Sequence, residues 1–353
     1  MKSPALPAVV LLALAALPGV GAAETYRLPL SGADLATGER FSTFVHTGGI
    51  QAEGKDIGAR RNKGGKDWSG LRTDGADRKV LSNWQVYGKP FYAMASGVVI
   101  GCWRNAPENV PGSYHPDYEA KKIAGGGNHL WIRQDDGVVA LYAHAQPGSI
   151  PSNLCPHEAK LLVDNSITQG NPDIRKEAVV ENGARVKAGQ FLGKVGNSGA
   201  SGSGPHLHVH MEKDGKPVVM TFVHGLTTPN PEGKADPNGP WTPLNGKAMP
   251  KADILFWPPR PTGQYTFNGV QGAAYQSLFD HMVDSGQMPD VLTCKSNGAT
   301  YNSTWVPSQG AWRSHHGMSA AVAAAKHAAY TQQGFKRTSS FTCGSVSVAV
   351  WRK

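Results

Sequence analysis

The chain is poor in cysteine. Its 353 residues hold four, Cys102, Cys155, Cys294 and Cys343, and none is spaced as CxxC, which excludes a zinc knuckle of paired thiolates. Beyond the N-terminus no apolar run is long enough to span a bilayer as a helix. No basic stripe interleaves with aromatics, so the pattern does not point to nucleic acid. Residues 85–225 lack any long helical period, which excludes a helix bundle there.

What is present begins with MKSPALPAVVLLALAALPGVGAA: one lysine, an Ala/Leu/Val run broken by Pro7 and Pro18, then small residues. Residues 1–23 read as a signal peptide, so a secreted or periplasmic location is expected. About 330 residues remain, enough for roughly two domains. Lys and Arg outnumber Asp and Glu by 35 to 26, a formal charge of +9. That balance suits an anionic surface such as a bacterial wall, and equally well a merely solvated basic surface. An even number of cysteines in an exported chain reads as two disulfides. Three pairings exist. Cys102–Cys155 with Cys294–Cys343 is favoured because each pair then lies inside one domain.

Residues 76–226 alternate strand-like runs with turn signals: FYAMASGVVIGCW, HLWIRQDDGVVALYAH, QFLGKVG and HLHVHMEKDGKPVVM. The Asp-Gly pairs at 136–137 and 214–215 suit two-residue hairpin turns. The reading is a mainly β, antiparallel domain, preceded by an N-terminal extension over residues 24–75. Residues 227–262, crowded with proline and glycine, read as a linker without regular elements. Residues 263–353 repeat themselves. AYQSLFDHMVDSGQMPDVLTCKSNGATYNSTW (274–305) aligns with AVAAAKHAAYTQQGFKRTSSFTCGSVSVAVW (321–351). Each copy has a helical stretch, a glycine stop, a Thr-Cys and a strand closing on tryptophan, so a small two-copy α+β domain is expected. It resembles the bacterial tandem-repeat unit found beside secreted hydrolases, and a protein partner is expected there if anywhere. His315 and His316 are adjacent, face opposite ways on a strand, and do not suit a two-histidine metal site.

SGPHLHVHMEK (203–213) puts His206, His208 and His210 on one face of a strand, because successive side chains alternate. With GKPFYAMASGVVI (88–100) and GGGNHLWIRQDDGVVALYAHA (125–145), the phrase GPHLH resembles the LytM/lysostaphin family of zinc endopeptidases, which cut peptide cross-bridges of peptidoglycan. The resemblance implies the family's antiparallel duplicated hybrid motif and wall peptides as partner. It implies zinc on His208, with His206 and His144 as catalytic histidines that move protons and steady the developing oxyanion.

The family's other two ligands form His-x-x-x-Asp, and counting back from Gly88 puts Lys79 and Asn83 there. A protonated lysine repels Zn²⁺, and asparagine offers only a neutral carbonyl. On that count two of three ligands are missing. The expectation is a LytM-like protein, a pseudoenzyme candidate, acting at or binding peptidoglycan peptides with impaired or absent zinc catalysis. The alternative is an active zinc endopeptidase with a non-standard ligand set; zinc is the cofactor in that case only. Substitutes within reach are His129, opposite His144 if the hairpin register sums to 273, and Asp67, Asp74 or Asp77. His210, about 7 Å further along its strand, is expected to be partly exposed and too distant to chelate. An unrelated wall-adhesion protein, supported only by the repeats and the basic charge, is the third reading.

Overall fold

Leu207, Val209 and Met211 alternate with histidines along the strand Leu207–Lys213, and all three are fully buried on one side of it. A period of two sends His208 and His210 to the other face. The computed structural model describes residues 26–353 apart from 37, 47, 169–172, 238, 240, 258–263 and 285. The expected signal peptide therefore lies outside the described residues. The strand Leu207–Lys213 pairs with Lys55–Gly64 on one side and Val139–Ala145 on the other, His208 standing between Asp56 and Ala143. These three are the middle of a sheet of 12 strands. It continues through Glu39–Val45 and Ile254–Trp257 to Leu226–Pro229, and in the other direction through Asn128–Gln134 to Gly97–Trp103. These pairings are all antiparallel, so the mainly β expectation holds.

Phe41, Ile57, Leu130, Tyr142 and Val209 lose all contact with water on the core face. Each such burial stabilises by about 1.5–3 kcal/mol. A second apolar cluster, including Trp103, Trp131, Leu141 and Ile174, covers part of the opposite face. The disulfide Cys102–Cys155 ties the loop above that cluster to the strand Gly97–Trp103. Cys294–Cys343 is the second bridge, so both expected pairings are found.

The turn at Asp214-Gly215 is the expected two-residue one, with both φ angles positive, 51° and 73°. The other hairpin differs. Inside the Arg133–Val139 pair, Gln134 donates its N–H to the Val138 carbonyl oxygen at 2.8 Å, which leaves Asp135, Asp136 and Gly137 as a three-residue loop with Gly137 at φ 80°. The register then slips between the Asn128 and Leu130 pairs, so His129 does not face His144 as the sum of 273 required.

Two expected boundaries need correction. Residues 24–75 are no mere extension, since Glu39–Val45 and Lys55–Gly64 are central strands of the main sheet. Residues 227–262 are not without regular elements either. Thr242–Pro243, Leu226–Pro229 and Ile254–Trp257 pair within the main sheet, and Lys247–Ala248 pairs with Thr221–Phe222 in a separate one. Segments of two to four residues fit between the prolines, and Ile254, Leu255, Phe256 and Trp257 are buried.

Beyond this lie two units of one element order. Tyr265–Gln271, the helix Gly272–Asp284, Gln287–Lys295 and Thr300–Pro307 form the first. Trp312–Met318, the helix Ala320–Gln332, Lys336–Cys343 and Val346–Arg352 form the second, and in each sheet the last strand lies in the middle. Ser319 caps the second helix by accepting from the Val322 N–H. His315 Nε2 lies 2.7 Å from the Tyr330 hydroxyl, whereas His316 packs on Tyr275 and Tyr301, so the two histidines serve different contacts. No helix among the described residues is long and apolar enough to cross a membrane.

Candidate metal centre

Asp56 opens the strand Lys55–Gly64 and pairs with Phe44 on one side and His208 on the other. His46 follows the strand Glu39–Val45 directly, at the mouth of the same hairpin. The hairpin thus brings an imidazole and a carboxylate onto the face that carries the histidines. His46 Nε2 lies 2.8 Å from Asp56 Oδ1, and His208 Nδ1 lies 2.8 Å from the same oxygen. The three donor atoms all fall within 4.8 Å of one another. Two imidazole nitrogens and one carboxylate oxygen are the donors of a catalytic zinc site, which leaves a fourth position open. The residues present fit zinc.

Burial alone would raise the Asp56 pKa. The hydrogen bonds with His208 and His46, and the charge of His206, instead hold it well below the usual carboxylate range. The group is ionised, as cation binding requires. Burial pushes the His208 pKa down, although Asp56 opposes that shift. His208 Nε2 lies 2.8 Å from His210 Nδ1, a contact that fixes the ring and its tautomer. His210 is not the partly exposed residue expected. It is buried edge-on to Trp131, with ring centroids 5.5 Å apart, and burial pushes its pKa down to about 3. Gly54 explains how the hairpin loop closes over this pair. A Cβ there would stand 2.9 Å from the Gln51 carbonyl oxygen and 3.2 Å from His210 Cβ.

His144 and His206 stand beside this group, their ring centroids 4.7 Å apart, and His144 lies 5.9 Å from His208. His144 adopts φ 70°, uncommon for a residue with a side chain, at the slip in its hairpin. Its Nδ1 lies 2.8 Å from the Ser198 carbonyl oxygen, and His206 Nδ1 lies 2.9 Å from that of Gly204. A carbonyl only accepts, so each Nδ1 carries the hydrogen and each Nε2 is left basic. His206 Nε2 is 3.5 Å from Asp56 Oδ1. Burial, then the neighbouring His206 and His208, hold the His144 pKa well below its ordinary value, so the ring is neutral.

The structure does not bring Lys79 or Asn83 into this group. The exposed Lys79 donates its backbone N–H to Asp77 Oδ1, and Asn83 donates its amide to the Asp77 carbonyl oxygen, in a turn. The count from Gly88 assumed that the ligand pair sits just before that glycine, whereas the chain places a long loop between the hairpin and Gly88. Asp67 pairs with Lys234, Asp74 with Arg61, and Asp77 serves its own turn. His129 lines the same cleft but stays apart from the donor group, with Nδ1 2.7 Å from the Gly127 carbonyl oxygen and its pKa pushed down to about 4 by burial. His46 and Asp56 are the residues that sequence reasoning missed. Their signal is VHTGGIQAEGKDIG, two strand ends around a glycine-bearing turn.

Residues 173–220 match peptidase family M23; the match includes His206 and His208 and stops short of His46, Asp56 and His144. Among solved structures, the chain is similar to a zinc-containing peptidase from Vibrio cholerae, with 18% identity, TM-score 0.25, and coverage of 55% of this chain and 39% of that one. It is similar to the catalytic domain of lysostaphin from Staphylococcus simulans, with 19% identity, TM-score 0.23, and coverage of 51% and 86%. A glycyl-glycine endopeptidase LytM from Ruminococcus gnavus matches with 20% identity, TM-score 0.25, and coverage of 55% of each chain. The chain thus spans well under two thirds of the Vibrio cholerae protein. The likeness to peptidase family M23 thus rests on the segment 173–220, which carries His206 and His208.

Proposed function

We propose that the protein is a zinc-dependent endopeptidase acting on the peptide part of peptidoglycan, with its ligand pair split across a hairpin. The observation that carries this is the meeting of His46, Asp56 and His208 beside His144 and His206. The leader-like N-terminus and the two disulfides support work outside the cytoplasm. The impaired reading rested on Lys79 and Asn83 as ligands, and it loses that basis.

His46, Asp56 and His208 would hold the ion, which supplies Lewis acidity toward a peptide carbonyl and toward water. The remaining chemistry belongs to the chain. Nε2 of His206 takes a proton from the attacking water, and the protonated ring then donates it to the leaving amine as the C–N bond breaks. Nε2 of His144 is the second basic atom of the site and accepts a hydrogen bond from the attacking water, which orients it. Ser198 and Gly204 fix both rings in the tautomer that this requires.

The test is metal analysis and turbidity clearing of peptidoglycan by the purified protein. About one zinc per chain and measurable clearing are expected. Asp56→Ala and His46→Ala should lose both, while Lys79→Ala should change neither. Absence of zinc, or clearing that survives Asp56→Ala, would overturn the proposal.

A further inference from the structure

Two clefts meet at the candidate metal centre. One of about 290 Å³ holds His144, His129 and Trp131, and another of about 480 Å³ runs along the hairpin. They share Asp56, Ser203 and His206, so a chain lying through both crosses the reacting centre. Alternation along Lys55–Gly64 builds the floor of the larger cleft: Asp56, Gly58 and Arg60 share one face. Gly58 keeps that floor low, since a Cβ there would meet only Ser42 Oγ, at 3.5 Å.

The walls are Trp68, Arg78 and Trp84. Trp84 donates its indole N–H to the Arg78 carbonyl oxygen at 2.9 Å and carries the Arg78 guanidinium 5.0 Å from its ring centroid. It packs so closely on Gly204 that a Cβ there would come within 2.9 Å of the indole. The wall is therefore braced against the segment that bears His206. Trp68 spends its N–H on the Ala235 carbonyl oxygen at 2.8 Å, so both indoles offer the cleft apolar surface rather than donors.

The cationic side carries two guanidiniums, Arg60 and Arg78. Arg60 Nε reaches Ser42 Oγ at 3.3 Å, and neither Arg60 nor Arg78 forms an ion pair among the described residues. Burial pushes the Arg60 pKa down, Asp253 opposing the shift and the like charge of Arg78 adding to it. The carboxylate on the floor is Asp56, which the ion would claim. Two planar cations with aromatic walls match a carboxylate carried on an otherwise uncharged peptide.

We infer that the larger cleft is a specificity subsite for an acidic residue of the peptide substrate, with Arg60 and Arg78 receiving its carboxylate between Trp68 and Trp84. This deepens the peptidase reading and rests on it. Arg60 stands four residue steps beyond Asp56, about 13 Å along the strand. Allowing for the reach of the arginine, the carboxylate falls two or three residues from the bond that is cut.

The test uses the zinc-loaded full chain carrying His144→Ala, which slows turnover and does not line this cleft. Hexapeptides of alanine and glycine carry Glu or Gln at each position in turn, and binding is read by tryptophan fluorescence. At one position Glu should bind about tenfold tighter than Gln, with the preference fading as salt rises. Arg60→Gln/Arg78→Gln should abolish the preference while leaving zinc content unchanged, and Arg60→Lys/Arg78→Lys should keep part of it. Equal affinity for Glu and Gln at every position, or a preference that survives the glutamine pair, would overturn the inference. So would tighter binding of a neutral glycan oligosaccharide than of any Glu peptide. Failure of the peptidase proposal reads differently: no zinc, or no clearing by the unmodified protein, whatever the peptide preference.

Discussion

Asp56 Oδ1 is approached by three imidazoles, and each is oriented by a further contact: His46 from the hairpin mouth, His208 through His210, His206 through the Gly204 carbonyl. The least obvious of these supports is His210, which touches no donor position yet sets the ring of His208. His210→Leu should therefore keep the fold and lower zinc affinity by about 10–100-fold, measured by competition with a chelator. An affinity within twofold of the parent would show that Nε2 of His208 needs no partner. Glu212, two residues on in the same strand, predicts a pH effect. Burial, with the charge of Asp173, pushes its pKa up from 4.5 to about 7. A raised folded-state pKa means that the protonated form is favoured by folding. The contribution is therefore complete below pH 4.5 and is lost as pH rises through about 7. Glu212→Gln should remove this dependence and be the more stable protein at pH 8, as read from denaturant midpoints at pH 5 and pH 8.

At the scale of elements, the hairpin Glu39–Val45/Lys55–Gly64 brings His46 and Asp56 to the candidate metal centre, and it was the least legible part of the sequence. A ligand pair within one segment has a fixed spacing that can be counted. A pair split across a hairpin has the spacing of whatever loop joins the strands, so His46 and Asp56 carried no countable signature. His144, His206 and His208 were legible because ordered phrases surround them, and the strand Leu207–Lys213 because a period of two is strong over seven residues. Strands of two to four residues between prolines, as in 227–262, fall below the window in which periodicity can be seen. The disulfides were legible from domain placement alone. The Cys102–Cys155 bridge closes a loop of 53 residues over the Trp103 cluster. Cys102→Ala/Cys155→Ala should cost roughly 3–4 kcal/mol in urea unfolding. Zinc stoichiometry should survive in the folded fraction, since the bridge touches no donor residue. Loss of metal without loss of stability would contradict that separation.

Across the whole molecule, the two C-terminal units are not loosely attached. Trp257, the end of a main-sheet strand, lies between the Arg40 guanidinium at 4.0 Å and the Tyr265 ring at 4.0 Å, with Phe267 beyond. One apolar core thus runs from Phe41 through Trp257 to Tyr275. The metal centre has a different reach. Asp56 and His208 are 152 residues apart in the chain, and His46 lies beyond the far side of the hairpin turn. An ion held by all three would be a fastener between distant segments, set at the loop between His46 and Lys55, which is exposed at Gly48 and Gly49. Withdrawal of zinc by a chelator should then make that loop the first place a protease cuts, with a nick between His46 and Lys55 detectable by mass before any other fragment. Readdition of zinc should slow that cut by the factor 1 + [Zn]/Kd. If zinc fills the site, the lifetime of the protein in a protease-rich surrounding follows its metal supply, and starvation for zinc disposes of the molecule.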